Sequence, residues 1–381
     1  MKSIAVTAPR AGLKEALLKV SSIKPQVAIV FATPGLWKDE KAMEEACATL
    51  QGCQVLGCST AGEILGPRAR TDSISALGMR FDTAQVKVAE AALNAPEESF
   101  YAGQMLGKGL NGPKLRGVFV LSPGLRVNGS ALAKGLAGAF DKGVVVSGCM
   151  AGDGTSFANT FTLLNGRISQ SRVVAFGVYG DHVTVKHGSR CGWKSFGPLR
   201  RVTRAAGNVL FELDGKPALA LYREYLGDKA AELPASGLLY PLSVMKGDSR
   251  QDSGIVRTLV NVNPHEGSLV LAGEVAQGAQ VRLMHVDTDT LIEGAGLAGR
   301  DAGIWGAAGE TATLMVSCLG RKLALGSDVD EEVEAVHKAI GGSSACAGIY
   351  GYGAFSPTGA QHAPELQNQS MAVTHIVEAG G

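Results

Sequence analysis

The sequence predicts an α/β protein in which duplicated strand-helix-strand-strand units form two mixed-sheet α/β domains. One order of elements occurs three times: an apolar strand, a short break, a helix-patterned segment and a Gly-rich strand end. The apolar strands and the Gly-rich ends that follow them begin at Val27 and Gly57, at Val118 and Gly148, and at Thr313 and Gly348. A chain of 381 residues is also too long for one ordinary core, so a split near the middle is expected.

The first two copies carry the clearest element signals. VAIVFA from Val27 is a continuous buried-strand run, and the DEKAMEEACATL that follows it combines an acidic first turn with apolar residues at helical spacing. VLGCSTAG from Val55 predicts the next strand, and two more strands follow without a helix. The second copy repeats this plan and ends in a predicted hairpin whose tip, Asn165-Gly166, tolerates positive φ angles.

The pattern changes after Val183. A helix is predicted to begin at Pro217, because proline is tolerated at the first helical position, and four strand candidates follow it. The third copy then closes the chain with the helix EEVEAVHKAIG and two strands. We place a boundary near residue 205, which gives domains 1–205 and 206–381. If Asn208 to about Asp287 is counted as a diverged fourth unit, the molecule has two halves of two units each.

Composition narrows the class of protein. Hydrophobic residues make up 45% and charged residues 19% of the chain, which is typical of a folded globular protein. With 36 basic and 35 acidic residues, the charge gives no support for binding nucleic acid or an anionic membrane. The N-terminus lacks the apolar core of a signal peptide, and we expect a cytoplasmic protein. The seven cysteines never form C-x-x-C, which favours reduced thiols.

The Gly-rich strand ends predict a ligand site. Glycine allows close approach to backbone N–H groups, so Gly57, Gly62 and Gly148 are candidate positions on a pocket floor. Glu63 and Asp153 stand in the same place in two copies. Two interpretations are open for both acids: contact with a ligand such as an amine, or capping of a turn or a helix N-terminus.

Catalysis has weaker support in the sequence. Cys58, Ser59 and Thr60 lie beside Glu63, but a hydroxyl or thiol becomes a nucleophile only with a base in hydrogen-bond reach. The sequence has no G-x-S-x-G elbow, no phosphate loop and no H-E-x-x-H, and no G-x-G-x-x-G follows a strand with an acidic residue downstream. We therefore expect no enzyme. A hydrolase or transferase that acts on a small amine or acyl substrate through Glu63 and Asp153 is the alternative.

One histidine and two arginines are further candidates. A single His can hold a haem iron as its axial ligand, and His187, which precedes a glycine and lies near Trp193, is the candidate. The alternative is a structural histidine. Arg257 and Arg321 are candidates for binding a ligand carboxylate through two hydrogen bonds, with ion pairing at the surface or between domains as the alternative.

Eight short segments in sequence order resemble the FIST family. They are GCSTAGEI at Gly57, AGD at 151–153, LDGKPAL at Leu213, PLSV at Pro241, IVRTL at Ile255, SCLGR at Ser317, CAGIYGYGAFSP at Cys346 and ELQNQSMAVT at Glu365. The resemblance runs from about Val27 to the C-terminus and covers the FIST N-terminal and C-terminal domains. It implies an intracellular signal-transduction sensor for a small ligand. Amino acids are suggested ligands of the family, and one haem-binding branch senses nitric oxide.

Two departures from the family's pattern lie near the C-terminus. Ala354 stands where Y-G-E-I-x-P has Glu, and Gln367 stands where L-H-N-Q-T has His. Both argue against an amine-recognising or His-dependent site in this region, and they direct attention to Glu63 and Asp153.

The sequence as a whole predicts a stand-alone, non-catalytic small-ligand sensor. It would regulate a separate signalling protein, such as a histidine kinase or a cyclase, and it could act as a homo-oligomer. The predicted ligand-binding set consists of Gly57, Cys58, Ser59, Thr60, Gly62, Glu63, Gly148, Cys149, Asp153, Arg257, Arg321, Tyr350 and Tyr352.

Overall fold

The computed structural model describes residues 1–245, 254–303, 310–358 and 363–379. The strands are β1 (Lys2–Pro9), β2 (Val27–Ala32), β3 (Gln54–Ser59), β4 (Glu63–Leu65), β5 (Arg68–Arg70), β6 (Ser73–Arg80), β7 (Gln85–Ala92), β8 (Leu115–Ser122), β9 (Val145–Met150), β10 (Thr162–Leu164), β11 (Arg167–Ser169), β12 (Arg172–Tyr179), β13 (Val183–Arg190), β14 (Lys194–Ala206), β15 (Val209–Leu213), β16 (Lys216–Pro217), β17 (Leu242–Met245), β18 (Ile255–Arg257), β19 (Leu259–Asn263), β20 (Ser268–Leu271), β21 (Gln280–His285), β22 (Thr311–Cys318), β23 (Ala345–Gly351), β24 (Gly353–Thr358), β25 (Ala363–Gln367) and β26 (Met371–Glu378).

The α-helices are α1 (Leu13–Ser21), α2 (Glu40–Cys47), α3 (Ser99–Leu110), α4 (Gly129–Ala137), α5 (Ala218–Leu226), α6 (Thr288–Ala302), α7 (Leu319–Leu325) and α8 (Val329–Ala339). Within the described ranges, no helix combines the length and the apolar character needed to cross a membrane.

Three six-stranded sheets share one strand plan. Their orders are β1-β6-β2-β3-β10-β11 for sheet 1, β7-β12-β8-β9-β24-β25 for sheet 2 and β13-β26-β22-β23-β4-β5 for sheet 3. In each sheet the third and fourth strands run parallel, and all other neighbours run antiparallel. The predicted α/β class with mixed sheets is confirmed, and the three copies found in the sequence are the three parallel pairs.

The three sheets exchange their outer hairpins in a cycle. Unit one, residues 2–80, gives β4–β5 to sheet 3; unit two, residues 85–179, gives β10–β11 to sheet 1. Unit three, formed by β13 and residues 288–378, gives β24–β25 to sheet 2. Each hairpin therefore covers a strand edge that would otherwise be open for pairing.

The sheets enclose one core and carry helices on their outer faces. Val27, Ile29 and Phe31 of β2 belong to a buried cluster that also holds residues of β8 and β22, so all three sheets contribute to it. On the opposite face of β2, Ala28 and Val30 pack against α1. This alternation explains the continuous apolar run of the sequence, because a strand covered on both faces needs no polar side.

The segment predicted as a fourth unit has a different structure. Residues 194–285 form an insertion between β13 and α6, whose strands β14 to β21 pair only antiparallel and pack on α5. The expectation of a fourth unit from Asn208 to Asp287, and with it the two halves of two units, is therefore wrong. The segment does contain strands and a helix, but its described strands form no parallel pair. The boundary predicted near residue 205 lies within β14, and hydrogen-bonded sheets contain strands from both sides of it.

Candidate functional site

The Gly-rich strand ends lie together where the three units meet. Backbone hydrogen bonds link successive units there, from Gly152 N to Ser59 O (3.0 Å), from Tyr352 N to Met150 O (3.1 Å) and from Ala61 N to Tyr350 O (2.7 Å). Backbone N–H groups at these strand ends therefore bind neighbouring units of the protein itself.

Packing explains the glycines and cysteines at this junction. A Cβ atom on Gly57 or Gly148 would press on the carbonyl oxygen of the adjacent parallel strand, at Val30 and Val120 respectively. The Sγ atoms of Cys58 and Cys149 lie 3.9 Å apart and are fully buried. Burial raises the pKa of the Cys149 thiol, which favours its neutral form.

The hydroxyl groups of the first strand end are also engaged. Ser59 Oγ accepts a hydrogen bond from Phe161 N at 3.0 Å, and Thr60 Oγ1 accepts one from Gly62 N at 3.2 Å. Gly62 leaves room for the Nζ atom of Lys322, which would collide with a Cβ at this position. These contacts explain the positions as parts of the junction between units.

Glu63 is buried at the start of the exchanged strand β4. Its Oε1 accepts a hydrogen bond from Thr60 Oγ1, and its Oε2 accepts bonds from Ser73 N (3.2 Å) and Ser73 Oγ (2.8 Å). Burial raises the pKa of Glu63, while the bonds from Thr60 and Ser73 and the charge of Lys322 oppose the rise. All these partners are internal to the junction, so Glu63 serves to hold the exchanged hairpin.

Asp153 closes a turn, as its alternative interpretation predicts. Its carboxylate accepts hydrogen bonds from the backbone N–H groups of Phe157 (2.9 Å), Ala158 (2.8 Å) and Asn159 (2.7 Å). Tyr352 Oη donates a further bond to Asp153, and the Phe157 ring stacks on Tyr352 with centroids 4.9 Å apart. Glu63 and Asp153 therefore share a place in the sequence repeat but bind different partners.

Arg321 is the centre of a buried polar cluster. Its Nε and Nη2 donate to Glu332 Oε2 at 2.9 and 2.6 Å, and Nη2 also donates to Leu291 O. Tyr350 Oη donates to Glu332 Oε1 at 2.9 Å. Burial raises the pKa of Tyr350, and the nearby Glu332 charge adds to the rise. Arg321 and Tyr350 are therefore committed to pairing within unit three.

His187 lies between two packed sheets. Its Nδ1 is 3.1 Å from Thr374 Oγ1, which donates in turn to Ser147 Oγ of sheet 2. Burial lowers the pKa of His187 to about 3, and Nε2 has no hydrogen-bond partner among the described residues. Val185, two positions earlier on β13, packs on Gly117 of sheet 2, so this face of the strand lies against the neighbouring sheet. The haem ligand and the nitric oxide response stay predictions without structural support.

A cleft of about 620 Å³ lies between unit two, the insertion and the exchanged strand β25. We call it the Arg257 cleft; its wall is formed by Ser130, Ala133 and Lys134 of α4, Ala205, Gly207, Val244, Met245, Ile255, Arg257, Glu274–Ala279 and Pro364–Leu366. Among the ligand-binding residues predicted from the sequence, Arg257 is the one that lines it. Its volume falls in the range of small-molecule sites.

The Arg257 guanidinium is buried and only partly satisfied. The side chain is 6% exposed; Nε donates to Glu274 O (3.0 Å) and Nη1 donates to Leu366 O (2.9 Å). Within the described part of the chain, Nη2 makes no hydrogen bond. Burial lowers the pKa of Arg257 to about 10, against the opposing charges of Glu365 and Glu274, so the group remains cationic at neutral pH. A cation in this setting favours an anionic partner.

An ion pair joins unit two to the insertion at the edge of this cleft. Lys134 Nζ binds the Glu274 carboxylate, which also accepts a hydrogen bond from Asn128 Nδ2 at 3.2 Å. Glu274 N donates to Ser130 Oγ at 3.1 Å. Burial by itself raises the pKa of Glu274, but the bonds from Lys134 and Asn128 outweigh it and lower the pKa. The cleft therefore has charged groups from two parts of the fold.

Sequence reasoning missed Lys134, Glu274 and Glu365 as cleft residues. Lys134 lies on a helix of unit two, 140 positions from Glu274, so no local spacing connects them. Glu365 begins one of the family-like segments and offered the only signal of the three. The described residues contain no group of three or more His, Cys, Asp or Glu side chains that could hold a metal ion.

Comparisons with known proteins bear on the whole chain. The FIST N domain model matches residues 26–216, and the FIST C domain model matches residues 218–357. No curated protein matches the sequence. A solved structure of cyanuric acid hydrolase from A. caulinodans is similar over 100% of both chains, with 10% identity and a TM-score of 0.34, a likeness too low to bear on fold or function.

Proposed function

Because the chain belongs to the FIST family, whose domains are sensors in signal transduction, we propose that it binds a small carboxylate-bearing ligand in the Arg257 cleft. The proposed role is non-catalytic. The observation that carries the proposal is the buried Arg257 guanidinium, whose Nη2 lacks a hydrogen bond within the described residues while the side chain lines a cleft of ligand size.

The charge pattern of the cleft favours an amino acid. Arg257 offers a cationic hydrogen-bond donor for a carboxylate, a pairing that is short and strong. Glu274 and Glu365 act on the pKa of Arg257, so acidic side chains also lie near its guanidinium, although Glu274 already pairs with Lys134. A ligand with both a carboxylate and an ammonium group would match both signs of charge in the cleft, whereas a simple amine would lack the group that Arg257 binds.

The position of the cleft supports a sensing role. Its wall combines α4, within the FIST N match, with residues of the insertion within the FIST C match. A ligand held between them would change their packing if it binds one arrangement better than the other. We propose that a separate signalling protein, such as a histidine kinase or a cyclase, responds to that change.

Calorimetric titration with a panel of amino acids tests the proposal. We expect one or more to bind, and the matching decarboxylated amine to bind far more weakly. Arg257→Gln should weaken the affinity by about tenfold or more, because it removes a charge-assisted hydrogen bond. Ala276→Trp, at an exposed position of the wall, should block the cleft.

The matched control is Arg116→Gln, which removes an exposed arginine that pairs with Asp181 outside the cleft and should leave binding unchanged. If no amino acid binds, or if Arg257→Gln binds as well as the parent protein, the proposal is wrong. For the signalling step, pull-downs from native lysate with and without the bound amino acid should differ in the kinase or cyclase recovered.

A further inference from the structure

A second cleft, of about 440 Å³, adjoins the Arg257 cleft. Ile255 of β18 lines both, and β25 contributes Pro364–Leu366 to the first and Gln367 to the second. We call it the Asn368 cleft; the other walls come from residues 189–194, from α6 and from Asn368 and Ser370. None of the site residues predicted from the sequence lines it.

Two buried polar side chains in this wall each carry one atom that has no hydrogen-bond partner among the described residues. Asn368 is 1% exposed and Ser370 is 3% exposed, yet Asn368 Oδ1 and Ser370 Oγ make no hydrogen bond within the described part of the chain. Asn368 Nδ2 donates to Tyr352 O at 3.2 Å, and this bond determines the orientation of the amide. Oδ1 is therefore the acceptor atom that remains without a partner. An unsatisfied buried polar atom destabilises a fold, so the protein gains stability if a ligand supplies the missing bonds.

The rest of the wall indicates the chemistry of the occupant. The basic residues Arg190 and Lys194 are paired with Asp301 and Asp287, so they do not select an anion. The apolar side chains of Trp193, Ile255, Val256 and Leu297 also line the space. A space of this volume is far larger than the roughly 30 Å³ of one water molecule.

We propose that the Asn368 cleft is a second ligand site, which binds a small molecule with an N–H donor head and an apolar body. The head donates to Asn368 Oδ1 and bonds with Ser370 Oγ. The body packs on the apolar wall formed by Trp193, Val256 and Leu297. This site is independent of the carboxylate site at Arg257.

The thiol of Cys191 provides the readout. Cys191 lines the cleft and is partly exposed, whereas five of the other cysteines are buried. We expect benzamide and benzylamine at millimolar concentration to slow the alkylation of Cys191 by iodoacetamide, because both carry N–H donors on an apolar ring. Benzoate has the same ring and shape but no N–H donor, and it should give no protection. Cys191→Ser identifies the alkylation phase that belongs to this thiol.

Two variants locate the binding. Ser370→Ala removes a hydroxyl without a partner, so the protein should fold normally, and benzamide affinity should fall about three- to tenfold. Leu297→Trp should fill the cleft and abolish protection, while Leu323→Trp, at an exposed position on α7, should not.

Three outcomes would overturn the proposal: no protection by benzamide or benzylamine, equal protection by benzoate, or full benzamide affinity in Ser370→Ala. Calorimetric titration of Leu297→Trp with amino acids distinguishes a failure of this proposal from a failure of the proposed function. Amino acid binding should be retained in this variant, because the Arg257 cleft does not include Leu297.

Discussion

Arg321 and Glu332 form a fully buried ion pair, with Nη2 of the arginine 2.6 Å from Oε2 of the glutamate and neither side chain exposed. Ser317 Oγ and Tyr350 Oη donate to the other carboxylate oxygen, at 2.8 and 2.9 Å. The pair therefore joins α7, α8, β22 and β23 through one carboxylate. Every polar atom of that carboxylate is bound, which is the condition under which a buried pair is tolerated.

Removal of one partner should destabilise the protein strongly. Glu332→Gln leaves the Arg321 charge buried without its counter-ion, and we expect the free energy of unfolding to fall by about 3–5 kcal/mol. Urea denaturation followed by circular dichroism measures the change. Glu334→Gln, which disrupts a pair with Lys338 at the surface of the same helix, is the control and should leave the stability nearly unchanged. Equal effects of the two substitutions would contradict a structural role for Arg321.

Gly348→Ala should destabilise the junction of the units. A Cβ on Gly348 would press on Met315 O of the adjacent parallel strand, as at the equivalent Gly57 and Gly148. We expect a loss of about 1–3 kcal/mol or more, because the obstacle is backbone and cannot move aside. The control is Gly112→Ala, where nothing lies within 4 Å of the added atom. Thermal unfolding of both variants gives the comparison; a stable Gly348→Ala protein would disprove the packing explanation.

The repeated units could be predicted from the sequence because they depend on local signals. Strands such as Val27–Ala32 are buried on both faces and therefore read as continuous apolar runs. The exchange of hairpins could not be predicted. β4 has three residues, and its pairing with β23 joins positions nearly 300 apart, so no local pattern identifies its partner sheet. The fourth unit was expected from strand order alone, which does not distinguish a parallel from an antiparallel pair.

The candidate site, too, depends on contacts between residues that are distant in sequence, which local patterns do not predict. Gly57 and Gly148 looked like a pocket floor because glycine permits close approach, but the approaching group is a neighbouring strand. Arg257 could be predicted as a ligand-binding residue because it lies in a family-like segment. Its surroundings could not be predicted, because the cleft is assembled from α4, the insertion and β25. Those elements are distant in sequence, and only the fold brings Lys134 and Glu274 into contact.

Asp153→Asn should loosen the turn that follows β9 without affecting ligand binding. The carboxylate accepts three backbone bonds from residues 157–159 and one from Tyr352, and an amide offers a single acceptor oxygen. We expect faster hydrogen exchange at Phe157, Ala158 and Asn159, with amino acid affinity in the Arg257 cleft unchanged. A loss of affinity with normal exchange would instead favour the ligand-contact interpretation of Asp153.

Glu378 should make the protein sensitive to acid. Burial alone would raise the pKa of Glu378, but hydrogen bonds from Asp82, Thr83 and Ala84 outweigh it and lower the pKa from 4.5 to about 2. Because the folded state holds the ionised form, this stabilisation is complete above the unfolded pKa near 4.5 and is lost as the pH falls towards 2.

Glu378→Gln cannot titrate, so its free energy of unfolding should depend less steeply on pH across this interval. Urea titrations at several pH values measure both slopes, with the exposed Glu97→Gln as the control that should keep the parent slope. If the free energy of unfolding of Glu378→Gln depends on pH as steeply as that of the parent protein, Glu378 does not cause the loss of stability in acid.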